Sequence, residues 1–270
     1  MHQLTLETID SLIEQVVEFG LQQLDLRAVG FMDPFALLLL DLLILEQRDK
    51  GFEPEITWPE RNAVRGWMNA MGLPAELSLG AGAPSARDQE STLQPITRIA
   101  DESGVMQVVE GFHHRLADRY PLTESSRRSL VAMMIELFQN IPHHSNANGT
   151  VEDPHGMAAM QDYADSIFLA VADRGIGLSA SLGLRDGYEG LTDSQALDDI
   201  FYRGVSRFSD PGRGGELRRI SDLIRSWDGI LAVRTGNALF FSGPQGSDIY
   251  DVPRFPGLQL GMRLSRRAFS

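Results

Sequence analysis

Glu136 and Asn140 stand four residues apart in "SLVAMMIELFQNIPHHS", beside Leu130, Met133, Met134, Leu137 and Ile141. Apolar residues spaced by threes and fours predict a helix with one buried stripe. An acid and an amide one turn apart stack along the margin of that stripe, where both can face a cleft. The chemistry they suit is metal–phosphate work. A carboxylate can orient or deprotonate a water or hydroxyl, and an amide oxygen is a hard ligand for Mg²⁺. A solvated helix edge is the plainer reading of the same pair.

Two more stretches follow in the chain. In "VADRGIGLSASL", Asp173 precedes Gly175 and Gly177 at the end of an apolar run. "IFLAVADRG" reads as a buried strand and a turn. It also reads as a nucleotide site, with Asp173 accepting a hydrogen bond from a base and the glycines letting backbone approach the ligand. The third stretch is "GRGGEL", with Gly212, Arg213 and Gly214 ahead of Glu216. A glycine-rich turn opening a helix offers backbone N–H groups and a positive dipole end to phosphate.

The order "ELFQN", "DRGIG", "GRGGEL" resembles the GHKL ATPase superfamily, which includes gyrase, histidine kinases and anti-sigma serine kinases. The resemblance spans residues 93–264 and extends to the closing strand "PGLQLGMRL". It implies Glu136 as general base, Asn140 as Mg²⁺ ligand, and Asp173 as reader of the adenine amino group, with Gly175 and Gly177 beside the base. It implies a mobile ATP lid over residues 185–213 that ends at Gly212 and Gly214. Arg203, Arg207 and Arg213 are then candidates for phosphate contacts, because Lys50 is the only lysine and no "GxxxxGK" loop exists. Solvent exposure is the plainer reading of each arginine.

The chain departs from that pattern at three places. Pro142 is expected to end or kink the helix just after Asn140. Glu216 stands where a third glycine is usual and sets negative charge near the phosphates. Leu258 takes the place of a threonine that supports adenine recognition. Binding is expected to survive these changes better than turnover.

The elements that must position these residues fall into two parts. Residues 1–76 read as helix, strand, helix, strand, helix, with Asp33 and Pro34 as cap and first turn of "DPFALLLLDLLILEQRDKG". "LDLRAVGFMDPFALLLL" and the later Gly72–Leu73 resemble a STAS domain, the anti-anti-sigma fold. Pro34 and Phe35 stand where many members carry a phosphorylatable serine, so this loop is not expected to be a kinase substrate. Residues 77–92 are rich in Gly, Ala, Pro and Ser and read as a linker. Residues 93–270 read as an α/β sandwich with a mostly antiparallel sheet. The histidine pair His113 and His114 reads as surface or packing, and His143, His144 and His155 as loop residues.

Composition narrows the classes. Of 270 residues 43% are hydrophobic, enough for a real core. The net charge of −13, from 24 basic and 37 acidic residues, disfavours nucleic acid and anionic membrane. There is no cysteine, so neither a disulfide framework nor a thiolate metal site. The apolar run "FALLLLDLLIL" is too short to span a bilayer, and the first residues carry no secretory pattern. The sequence is thus expected to encode a cytoplasmic regulator that binds ATP and Mg²⁺. It would phosphorylate or otherwise control a protein partner such as a sigma-factor or STAS-type regulator, and a homodimer is one expected form. The alternative is a module that binds nucleotide and partner without catalysis.

Overall fold

The computed structural model describes residues 2–20, 22–73, 93–120, 123–146, 149–151, 153–207 and 215–265. The linker expected at 77–92 lies outside them, as do Gly212, Arg213 and Gly214. The described chain is a mixed α/β fold with two small sheets and one larger one.

The small sheets are parallel pairs. Strand β1 (His2–Leu4) pairs with β3 (Val29–Met32), and β2 (Gln23–Asp25) with β4 (Glu55–Thr57). "QLDLRAVGF", expected as one strand, is therefore two strands in different sheets, broken at residues 26–28. Around them lie α1 (Asp10–Phe19), α2 (Pro34–Asp49) and α3 (Asn62–Ala70).

Helix α2 starts where its cap residues place it. The Asp33 carboxylate accepts from the N–H of Ala36 at 2.8 Å and of Leu6 at 2.8 Å. Burial pushes the Asp33 carboxyl up to about 6, against the pull of those backbone bonds. Every residue of α2 from Pro34 to Ile44 is buried. A helix buried all round needs partners all round. Helix α2 shares one core with α1, α3 and residues of β2 and β3, and it lies on β6, β7 and β9 of the large sheet.

That sheet runs in the order β5 (Leu93–Arg98), β6 (Met157–Asp162), β7 (Ser166–Ala172), β9 (Gly246–Ser265), β8 (Ile230–Gly243). Every neighbouring pair is antiparallel. Strands β6 and β7 are buried along their whole length, and their side chains alternate between two cores. Ala158, Met160, Ile167, Leu169 and Val171 enter one core with α4 (Glu102–Arg119), α5 (Glu124–His144), α6 (Gly177–Leu182), α7 (Asp193–Phe201) and α8 (Glu216–Ser226). Met157, Ala159, Phe168, Ala170 and Ala172 enter the other, with α1 and α2. The period of two carries one strand into two separate packings.

Polar clasps fasten the α1–α2 layer to the sheet. Arg234, almost wholly buried on β8, donates to Asp10 of α1 at 2.5 Å and to the Pro253 carbonyl. Arg174 meets Asp49 at 2.6 Å and Glu46 at 3.4 Å. Trp67 of α3 donates its indole N–H to Gln161 of β6 at 2.8 Å. No helix among the described residues is long and apolar enough to cross a membrane.

Several expectations change. Strand β6 lies in a stretch to which the sequence assigns no element, and "GILAVRTG" and "ALFFSG", which read as two strands, fall in the single strand β8, with a register irregularity at Gly236. The lid expected over 185–213 contains the packed helix α7, with Ala196, Leu197, Ile200 and Phe201 buried. Its start is fixed by a reciprocal box between Thr192 and Gln195. Pro142 does not end its helix, which continues to His144. Asn140 donates to the carbonyls of Glu136 at 2.7 Å and Leu137 at 3.4 Å, and Ser145 Oγ donates to Ile141. These side chains add donors to the last turn, where Pro142 contributes no N–H.

Candidate functional site

The apolar stripe of α5 is as the spacing predicts: Leu130, Met133, Met134, Leu137 and Ile141 are all buried. Glu136 lies exposed at its margin and Asn140 half-buried. Both line a cleft of about 270 Å³ closed on its other sides by α6, the end of α7 and the start of α8. Leu178, Leu182 and Ile200 make its apolar wall, and Glu136, Arg207, Glu216 and Arg219 carry its charge.

The N-cap of α8 is Gly215, at φ 72°, and among the described residues no side chain caps the helix. The first N–H groups of an α-helix have no partner within the helix and sit at the positive end of its dipole. Gly215, Glu216 and Leu217 border the cleft. The Glu216 carboxylate is offset by Arg219, 3.2 Å away on the next turn. Across the cleft, Arg207 donates to the His143 carbonyl at 3.1 Å, and burial pulls its guanidinium pKa down. His143 itself bonds Glu102 at 3.0 Å and lies on α5, not in a loop.

The amide of Asn140 is oriented by its own helix. Its nitrogen is engaged with the Glu136 and Leu137 carbonyls, so the amide oxygen is the atom turned from the backbone. That oxygen and the Glu136 carboxylate are hard donors that suit Mg²⁺. Among the described residues no group of three or more His, Asp or Glu side chains is placed to hold a metal. A divalent ion at this cleft would therefore need oxygens from its ligand.

Asp173 occupies a different place. It is 2% exposed and does not line the cleft. Its carboxylate accepts from the N–H of Gly175 at 2.7 Å and of Leu258 at 3.3 Å. A Cβ on Gly175 would lie 2.3 Å from the Ser145 carbonyl, and the neighbouring Ile176 N–H bonds that carbonyl at 2.9 Å. The "DRGIG" turn is thus packed hard against the end of α5. Gly177 opens α6, whose Leu178 N–H bonds the Thr235 hydroxyl at 2.9 Å. Burial pushes the Asp173 carboxyl up to about 7, with the two backbone bonds opposing.

That shift makes stability depend on pH. A carboxyl whose folded pKa lies above its ordinary 3.8 favours folding below about pH 4, and the contribution fades as pH rises through 7. The difference is worth on the order of 4 kcal/mol at neutral pH. Asp173→Asn keeps an acceptor and removes the titration. Its stability relative to wild type is expected to rise by that order between pH 4 and 8. Urea midpoints across that range check it, and parallel profiles would show that Asp173 does not titrate on folding. Asp33 acts in the same direction in both proteins and cancels from the comparison.

The structure therefore brings together Glu136, Asn140, Arg207 and Glu216. Asp173, Gly175 and Gly177 form a neighbouring packed turn. Arg203 is turned away, paired with Asp198 at 3.0 Å and Asp199 at 2.8 Å. Arg219 and His143 line the cleft without having been singled out for it. The signal for Arg219 was its place one turn after Glu216 on a strongly charged helix. Known protein families give no match to this chain, and no curated protein is similar to it.

Proposed function

We propose that the α5–α8 cleft receives the phosphate end of ATP with Mg²⁺, in the manner of a GHKL nucleotide site within a signalling regulator. One observation carries the reading: Glu136 and Asn140 lie across a single cleft from the start of α8, whose N-cap is Gly215, with Arg207 and Arg219 beside it. Anion donors, two cations and two hard oxygen ligands are what a magnesium–phosphate group needs. The cleft is smaller than the usual ~300–1,000 Å³ of ligand sites, which suits a polyphosphate better than a whole nucleotide.

In this reading the α8 N–H groups and the two arginines bind the phosphates, and Asn140 presents its amide oxygen to the cation. Bound Mg²⁺ would neutralise phosphate charge. Glu136 would take the proton from an attacking hydroxyl, on a serine or threonine of a protein partner, or from water. Adenine recognition by Asp173 would require the contact between Gly175 and Ser145 to open. The site of action is proposed as cytoplasmic, and a homodimer is compatible with the proposal.

Calorimetric titration with ATP and ADP, with and without Mg²⁺, tests it. Wild type is expected to bind Mg²⁺–ATP, and Asn140→Ala to weaken it by about tenfold or more, on the scale of one charge-assisted contact. Glu136→Gln should keep binding and abolish turnover. No saturable ATP binding by the folded protein would remove the proposal. Binding without turnover in wild type would favour the second reading, a nucleotide-responsive binding module, to which Glu216 at the α8 start points.

A further inference from the structure

A second pocket, of about 240 Å³, opens where β3, α3 and the end of β6 meet, in the seam between the N-terminal layer and the large sheet. Its walls are Phe31, Met32, Val64, Trp67 and the Tyr163 ring, with Arg61 at the edge. Phe31 and Tyr163 face each other with ring centroids 6.0 Å apart and an interplanar angle of 44°. Phe31 is 39% exposed, a large aromatic ring at the pocket opening.

The polar chemistry of this pocket is sparse. Gln161 is already engaged on both sides of its amide: its oxygen accepts from Trp67 at 2.8 Å and its nitrogen donates to the Asp162 carbonyl at 2.8 Å. Arg61 is the only charged residue among the described residues lining it. A guanidinium nitrogen of Arg61 donates to the Gly30 carbonyl at 3.1 Å, which holds the cation at the pocket edge. Three aromatic rings around an apolar volume favour a flat apolar body, through edge and face contacts. One fixed guanidinium at the mouth favours a carboxylate there over a neutral group, through its charge. The overall charge of −13 makes this pairing of apolar pocket and cation distinctive.

We propose that this seam pocket binds a small aromatic monocarboxylate, with its ring between Phe31, Trp67 and Tyr163 and its carboxylate on Arg61. Apolar cavities of about 150 Å³ take a benzene ring, so the volume suits one or two fused rings. The proposal is independent of any nucleotide in the α5–α8 cleft.

The test uses the full chain and four probes: benzoate, indole-3-carboxylate, the neutral indole-3-carboxamide, and cyclohexanecarboxylate. Affinity is measured by calorimetry on wild type and on Arg61→Gln, with circular dichroism confirming that the variant folds. Wild type should bind indole-3-carboxylate saturably and at least tenfold more tightly than the carboxamide. It should also prefer benzoate to cyclohexanecarboxylate. Arg61→Gln should erase the preference of acid over amide while keeping carboxamide binding. A second variant, Ala63→Trp, fills the exposed rim and should block all four probes, with far-ultraviolet circular dichroism confirming the fold. The proposal is overturned if wild type shows no saturable binding at ~10 mM probe, if acid and amide bind equally, or if Arg61→Gln leaves the preference unchanged.

Discussion

Gly257→Ala is expected to cost more than about 4 kcal/mol of stability, a large share of the roughly 5–15 kcal/mol that keeps a typical domain folded. Gly257 sits at φ 82°, in the left-handed region, on the strand β9. An added Cβ would lie 2.1 Å from the Asp173 carbonyl oxygen. Neither partner has room to retreat. Asp173 is bonded to Leu258 in both directions, and the Gly257 carbonyl accepts from Thr235. The clash therefore spreads into β7, β8 and β9 together. Gly187→Ala is the control, because it also has positive φ, at 85°, but open space around its Cα. It should cost only the strain of the left-handed backbone, about 1–2 kcal/mol. Equal denaturation midpoints for the two variants would show that the close approach to Asp173 does not hold in solution.

Asp10→Ala is expected to cost about 3–5 kcal/mol, the range for removing one partner of a buried ion pair. The side chain of Arg234 is 1% exposed, and burial drives its pKa down while Asp10 opposes that. Without Asp10 the guanidinium keeps the Pro253 carbonyl as its remaining named partner. Removing both charges should be far milder, because two buried charges replaced by apolar groups often cost nothing. Asp10→Leu combined with Arg234→Met is therefore expected to recover most of the loss. A double variant as unstable as the single would place the effect in packing rather than in charge.

The sequence made the helices legible where their punctuation is local. Asp33 and Pro34 mark the start of α2, and the stripe from Leu130 to Ile141 marks the buried face of α5. Glu136 and Asn140 could be placed at one cleft because helical geometry alone puts them on one margin. Strand β6 was not legible: "MAAMQD" has apolar residues on both faces, since both faces are buried, so the alternation that marks a half-exposed strand is missing. The long arm of β9 was hidden by Pro253 and Pro256, which argue against a strand. The end of α5 was misread because Pro142 announces a break, while the Asn140 and Ser145 side chains that reinforce the turn are visible only in three dimensions. The burial of Asp173 was likewise beyond local pattern, since the residues packed against it, Gly257, Leu258 and Gln259, lie far from it in the chain.

The all-round burial of α2 has a consequence for how this protein is made. Synthesis runs from the N-terminus, so Leu37 to Ile44 leave the ribosome long before the strands they lie against. Strand β7 follows roughly 130 residues later and β9 more than 200 later. At ~5–20 residues per second, that interval is on the order of ten to forty seconds. Through it, the greasiest segment of the chain has only its N-terminal core partners, α1, α3 and the small strands, to shelter it. A nascent chain stalled before β9 is therefore expected to be captured by chaperones, and release of the finished chain to free it.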